Sequence, residues 1–324
     1  MKTNPRIVSL VLLFLVFAGC RNKENPSSTQ PLSSSPAARK TATPPPAQSI
    51  PAQTPLNYES DPLYRQAQSL FHADVRGSIG LLEAAIAKAP DNPNSAPYYL
   101  LLGRVKKEFE SCQGDYANSS LSEPAKQCKG FMEYAEARPN EYFYNEVGGD
   151  YLYGGFHFQE LEKRFPSSPL AVEAAYEMTS LSQGGECEGF LDCYIASAFT
   201  PVRNFLDRYP DTPHTAEAVR RADDAFRKTL WGDVWKTEWV EIKDPNNSSD
   251  YYDPANLKKM VQEYEDLAEK LPVRARASAW ETVAYYRNKF GEKDRARALY
   301  ARILKENPDY ENLPEIRKLL AALP

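Results

Sequence analysis

Six times between residues 78 and 308 the chain repeats one order of side chains. A small or medium residue is followed four positions on by an aromatic or large apolar one, three further by another apolar residue, and five after that by proline. The copies are Ser78-Leu82-Ala85-Pro90, Gln127-Phe131-Tyr134-Pro139, Gly154-Phe158-Leu161-Pro166, Ala198-Val202-Phe205-Pro210, Met260-Tyr264-Leu267-Pro272 and Ala296-Tyr300-Ile303-Pro308. Steps of three and four set side chains on one face of an α-helix, and proline marks where the chain must leave it. This reconciles 26 prolines with a helical fold: nine precede residue 58, and most of the other 17 fall between helices. Only 15 glycines argue against an all-β chain.

Other residues extend the pattern into helix pairs. Trp280, Val283 and Ala284 precede the last copy, with Arg287 following, and Tyr99-x2-Leu102-Gly103 and Tyr144-x2-Val147-Gly148-x2-Tyr151 precede earlier ones. Arg164-Phe165-Pro166-Ser167-Ser168-Pro169 recurs as Arg208-Tyr209-Pro210-Asp211-Thr212-Pro213, in which Ser168 and Thr212 are expected N-caps ahead of a proline at the first helical position. In these residues the chain resembles the tetratricopeptide repeat, a 34-residue helical hairpin, over about residues 60 to 310. Arg287 stands where that family has Tyr. The repeat type is similar to that of the tetratricopeptide lipoprotein of the outer-membrane β-barrel assembly machinery and of the Tol-associated coordinator. The resemblance implies an all-α, TPR-like solenoid, a right-handed superhelix of about six helical hairpins. Leu313 to Leu323 would form a capping helix.

The closing prolines are spaced 49, 27, 44, 62 and 36 residues apart, so insertions interrupt the repeats near 112–128, 183–193 and 231–253. The first two insertions hold Cys112, Cys128, Cys187 and Cys193. Three pairings are open; local bridges, Cys112 to Cys128 and Cys187 to Cys193, are expected, contributing about 3 and about 2 kcal/mol through loop closure. Thr200-Pro201 predicts a kink or a helix start within the fourth copy.

The N-terminus accounts for the fifth cysteine. Lys2 and Arg6 precede an apolar run from Ile7 to Ala18, too short to span a bilayer comfortably, which reads as a signal peptide over 1–19. Phe17-Ala18-Gly19-Cys20 resembles a bacterial lipobox, which implies a lipid-anchored Cys20; Arg21 after it implies outer-membrane sorting. Residues 20–57 carry that cysteine and a Pro/Ser-rich tether without aromatic residues, able to span about 35 to 110 Å. Residues 58–324 form the folded domain. Without the signal the chain holds 37 bases against 44 acids, a balance unsuited to nucleic acid.

No pattern for catalysis emerges, and no cofactor or metal is expected. His72, His157 and His214 lie far apart without His-Glu-x-x-His spacing. Glu59-Ser60 lacks the glycine-rich company of a lytic transglycosylase, and the cysteines lack Cys-x-x-Cys spacing. Surfaces remain. Trp231, Trp235 and Trp239 would form a stripe if their segment is helical, and Tyr251 and Tyr252 close the same insertion, giving a candidate partner-binding set. The dense group Tyr142, Phe143, Tyr144, Tyr151, Tyr153, Phe156 and Phe158 reads as core packing with a share left for a groove. Gly148-Gly149 and Gly154-Gly155 read as close packing and a tight turn. Arg274, Arg276, Arg287, Lys289, Lys293, Arg295, Arg297 and Arg302 gather in the last repeat, as a solvated face or a contact for an acidic peptide or lipid head group. The expected function is a noncatalytic, membrane-anchored scaffold that binds cell-envelope proteins or peptides. The alternative is a binder of glycans or peptidoglycan fragments through the aromatic insertion.

Overall fold

The computed structural model describes residues 58–113, 128–182, 184, 187, 191–229, 236–237 and 253–323. The expected signal peptide, the expected tether and Cys20 lie outside them. The described chain is mostly helical. After a single 3-10 turn at Tyr58–Ser60 come α1 (Pro62–Leu70), α2 (Val75–Lys88), α3 (Ala96–Phe109) and the short α4 (Phe131–Glu136). A two-stranded ribbon follows, β1 (Tyr142–Asn145) and β2 (Asp150–Tyr153), then α5 (Phe156–Arg164), α6 (Pro169–Met178), α7 (Leu191–Arg208) and α8 (Thr215–Arg227). The short pair β3 (Lys228–Thr229) and β4 (Lys236–Thr237) precedes α9 (Pro254–Lys270), α10 (Val273–Lys289), α11 (Lys293–Glu306) and α12 (Leu313–Ala322).

All six closing prolines lie just beyond the end of a helix, after α2, α4, α5, α7, α9 and α11. The apolar pattern points inward where proline ends the helix: Leu82, Phe158, Leu161, Val202, Phe205, Tyr264, Leu267, Tyr300 and Ile303 are all buried. Tyr134 and Gly154 are half-buried, and Ala198 is exposed. Most helices pack against a sequence neighbour, although α3 with α4 and α8 with α9 make little contact. In the second half α8 also meets α10, and α7 meets α9, so alternate helices stack.

Capping follows the chemistry of the cap residues. Ser168 Oγ accepts from the Leu170 amide at 3.2 Å ahead of Pro169. Thr212 behaves differently from its counterpart. Its Oγ1 accepts from the His214 amide at 3.2 Å, but its own amide donates to Thr215 Oγ1 at 2.8 Å, and this turn delays the helix to Thr215.

Two local expectations are corrected. The Tyr144-x2-Val147-Gly148-x2-Tyr151 motif does not form a helix; it folds into the antiparallel ribbon, pairing Tyr142 with Tyr153 and Tyr144 with Tyr151. Gly149 takes φ +68°, which a helix does not admit, and the Tyr142 and Tyr153 side chains meet in the core, ring centroids 5.6 Å apart. The ribbon thus stands where the motif is expected to form a helix. The second correction concerns Pro201. No helix starts there, because α7 runs from Leu191 to Arg208 with the proline inside. Ile195, Phe199, Val202, Phe205 and Leu206 on either side enter one core, and the carbonyl deprived of its donor belongs to exposed Ser197.

The apolar interior forms two clusters that meet on α6. Leu170, Ala171 and Ala174 face the first, built from α1 to α5 and the ribbon, whereas Val172 and Ala175 face the second, built from α7 to α12. Each cluster encloses one buried cation. Lys106 is fully buried between Glu83 at 2.6 Å and Glu141 at 2.5 Å. Arg287 lies beside Glu265 at 2.6 Å and Glu292 at 3.0 Å. Removing a buried charge strands its partners, so Arg287→Ala should lower unfolding free energy by about 3 kcal/mol in urea titrations. Arg297→Ala, whose partner Asp294 is almost fully exposed, should change it by under about 0.5 kcal/mol.

Candidate partner-binding surface

Cys112 and Cys128 are disulfide-bonded, Cα atoms 4.8 Å apart, joining the 3-10 turn after α3 to the turn before α4. Cys187 and Cys193 are bonded likewise, at 5.4 Å. Trp231, Trp235, Trp239, Tyr251 and Tyr252 lie outside the described residues. Lys228 and Thr229 pair with Thr237 and Lys236 as two short antiparallel strands.

The basic group of the last repeat is largely met by carboxylates. Arg274 pairs with Asp211, Arg295 with Glu265 and Glu292, Arg297 with Asp294, and Arg302 with Glu269 and Glu306. Arg302 also lies over the Trp280 ring at 4.1 Å, and Lys289 over Tyr285 at 5.3 Å. Arg287 is buried, so the group does not form one solvated face. The histidines are similarly engaged. His72 stacks on Phe71 at 4.5 Å, and buried His157 bonds through Nδ1 to the Tyr153 hydroxyl at 3.0 Å. Burial, with the nearby Lys106 charge second, holds His157 well below its ordinary pKa.

A charged ladder crosses α3, α6 and α8. Arg104 and Lys107 reach Glu177 at 2.7 and 3.2 Å, and His214 Nε2 meets Glu173 at 2.7 Å. The Tyr176 ring is flanked by His214, stacked at 4.1 Å, and by Arg221 at 4.5 Å. Arg221 continues to Thr179 and Glu217, and Arg220 to Glu217 and Asp224. Each rung joins residues on different helices or adjacent turns, which fixes how α6 sits against α8.

The ladder leads to a cavity of about 420 Å³ lined by Arg220, Asp223, Asp224 and Arg227 of α8, Ser278 of α10, and Tyr310, Glu311 and Asn312 before α12. Buried Asp223 forms its floor. Its carboxylate accepts from the Tyr264 hydroxyl at 2.8 Å, from Thr282 Oγ1 at 2.6 Å, and from Ser278 Oγ. Glu281, also buried, accepts from Tyr310 and Asn312, each at 2.6 Å, and so ties the segment before α12 to α10. Burial raises the pKa of both acids despite these donors and the Arg227 charge. No sequence motif announces this network, because its members come from four elements. The one available sign is a pair of acids, Asp223 and Glu281, on helix faces otherwise occupied by apolar residues.

Comparison with protein-family models finds no matching family, and comparison with curated proteins finds no match.

A carboxyl whose folded pKa is raised binds more protons folded than unfolded. Its contribution to stability is therefore present at low pH and falls as pH rises from the unfolded value through the folded one. Asp223→Asn should flatten the part of the stability-versus-pH curve that declines above about pH 4. Urea titrations at a series of pH values check this. An unchanged slope would show that Asp223 carries none of it.

Proposed function

We propose that the chain is a noncatalytic, membrane-anchored scaffold of the cell envelope that holds a protein or peptide on a stack of TPR-like hairpins. In this reading each closing proline ends a two-element unit, the third of which opens with the β-ribbon, and α12 caps the last. The observation that carries the reading is the recurrence of one unit. Six prolines each follow a helix packed against a sequence neighbour, and alternate helices α8 and α10 stack side by side. Units that bury their apolar faces on neighbours leave a continuous outer surface from the first helices of successive hairpins, which suits an extended partner. The charged ladder and the acid-floored cavity lie on that surface. Lipid at Cys20 and the proline-rich tether hold the stack at the membrane, outer by the Arg21 rule, facing the periplasm.

Two measurements test this. Cys20→Ser should move the protein from the membrane to the soluble fraction on cell fractionation; a variant that stays with membrane excludes the lipid anchor. Photo-crosslinking residues placed at Arg220 and Asn312 in living cells should capture envelope proteins, whereas one at Lys318, on the capping helix, should not. Equal capture from all three positions would overturn the assignment of the binding face.

A further inference from the structure

Among the described residues five large apolar side chains stand exposed. Four of them, Met132, Phe143, Tyr144 and Val147, fall between residues 132 and 147. That stretch is also where the helical repeat gives way to the ribbon. A local break in an otherwise regular pattern that leaves apolar surface in water points to an interaction site.

The backbone of the ribbon shows what kind of interaction. The Tyr151 amide donates to Gln113 Oε1 at 2.6 Å, the Tyr151 carbonyl accepts from Gln113 Nε2, and the Tyr153 amide donates to Glu110 Oε2 at 2.6 Å. Side chains after α3 thus satisfy the outer edge of β2. Tyr151 and Tyr153 point their backbone groups away from β1, so their register partners Tyr144 and Tyr142 point theirs away from β2. The Tyr142 amide turns back to the Arg138 carbonyl at 3.0 Å. Tyr144, about half exposed, has no partner for its N–H or its C=O among the described residues. One edge is closed by side chains and the other is open.

The stretch of chain that carries the open edge is acidic. Residues 128–150 hold Glu133, Glu136, Glu141, Glu146 and Asp150 against Lys129 and Arg138. Glu141 is taken by Lys106, and Arg138 lies on the Tyr134 ring at 3.7 Å, while Glu133, Glu136 and Glu146 are exposed. The exposed Tyr144 ring packs beside Tyr151 at 5.1 Å, a pair of aromatic faces suited to an apolar or cationic side chain.

We propose that β1 is a docking edge for an extended segment of a partner protein in which apolar and basic side chains alternate. The segment adds a strand through the Tyr144 N–H and C=O, sets apolar groups on Tyr144 and Val147, and sets lysine or arginine against Glu136 and Glu146. This rests on the scaffold reading and names the surface it uses.

The test selects phage-displayed random dodecapeptides against the full chain and measures the enriched peptides by fluorescence anisotropy. Enriched sequences should alternate apolar residues with Lys or Arg. Tyr144→Pro, which removes the free N–H, and the double variant Tyr144→Ser/Val147→Ser should each weaken binding by about tenfold or more. Glu136→Lys/Glu146→Lys should abolish its salt dependence. Methylating alternate peptide amides should destroy binding in one register and spare it in the other. The peptide series is decisive even if Tyr144→Pro unfolds, because it leaves the protein unaltered. Peptides whose affinity ignores the hairpin variants and methylation overturn the docking edge and leave the scaffold reading standing. Failure to enrich any peptide overturns both. A dimer in sedimentation that Val147→Ser dissociates overturns the peptide occupant in favour of a second copy.

Discussion

The two apolar clusters depend on a single ten-residue helix, α6, whose small side chains let both approach its backbone. Ala171 and Ala174 admit the rings and leucines of the first cluster, and Val172 and Ala175 admit those of the second. A larger residue on either side would push one half of the stack away, since close-packed interiors have no slack for an added methylene. The position of α6 is set at both ends of its exposed face as well. Glu173 and Glu177 tie it to α3 and to His214, while Tyr176 is held between His214 and Arg221. Hydrophobic contact supplies the attraction here, and the charged ladder selects one orientation from those the small residues would permit.

Buried cations play a comparable part within each half. Lys106 gathers Glu83 from α2 and Glu141 from the approach to β1, and its carbonyl accepts from the Tyr142 hydroxyl at 3.0 Å. The ribbon is thereby attached to α3 from one side, while Gln113 and Glu110 attach it from the other. Cys112 lies between those two residues in the chain, so its bridge to Cys128 steadies the turn that closes the edge of β2. Arg287 serves the last repeat similarly by joining Glu265 of α9 to Glu292 at the start of α11. Such pairs define geometry more than they add stability, since desolvation opposes most of their attraction.

The helix ends were legible because proline acts locally: it lacks an amide hydrogen and clashes with the preceding turn, whatever surrounds it. The inward faces were legible for a similar reason, as in Tyr264 with Leu267 and Tyr300 with Ile303. The ribbon was not legible as such. Tyr144, Val147, Gly148 and Tyr151 satisfy a helical spacing, yet Tyr142, Tyr144, Tyr151 and Tyr153 also alternate with period two. Which period prevailed was decided by the Tyr142 and Tyr153 rings reaching a core formed by α3, α4 and α5. The acids beneath the cavity were hidden for a related reason. Asp223 finds its donors on α9 and α10, and Glu281 finds its donors in the segment before α12, at sequence distances no local pattern spans.

By itself the sequence determined an all-helical tendency, the places where helices stop, and which side chains seek the interior. These follow from backbone sterics and from apolar periodicity, both short-range properties. The tertiary structure alone decided that a ribbon replaces one helix, that Pro201 lies within a helix, and that one strand edge is closed by Gln113 and Glu110 while Tyr144 is left open. Those outcomes depend on which partners reach a backbone group first, and the partners are brought there only by packing elements distant in the chain.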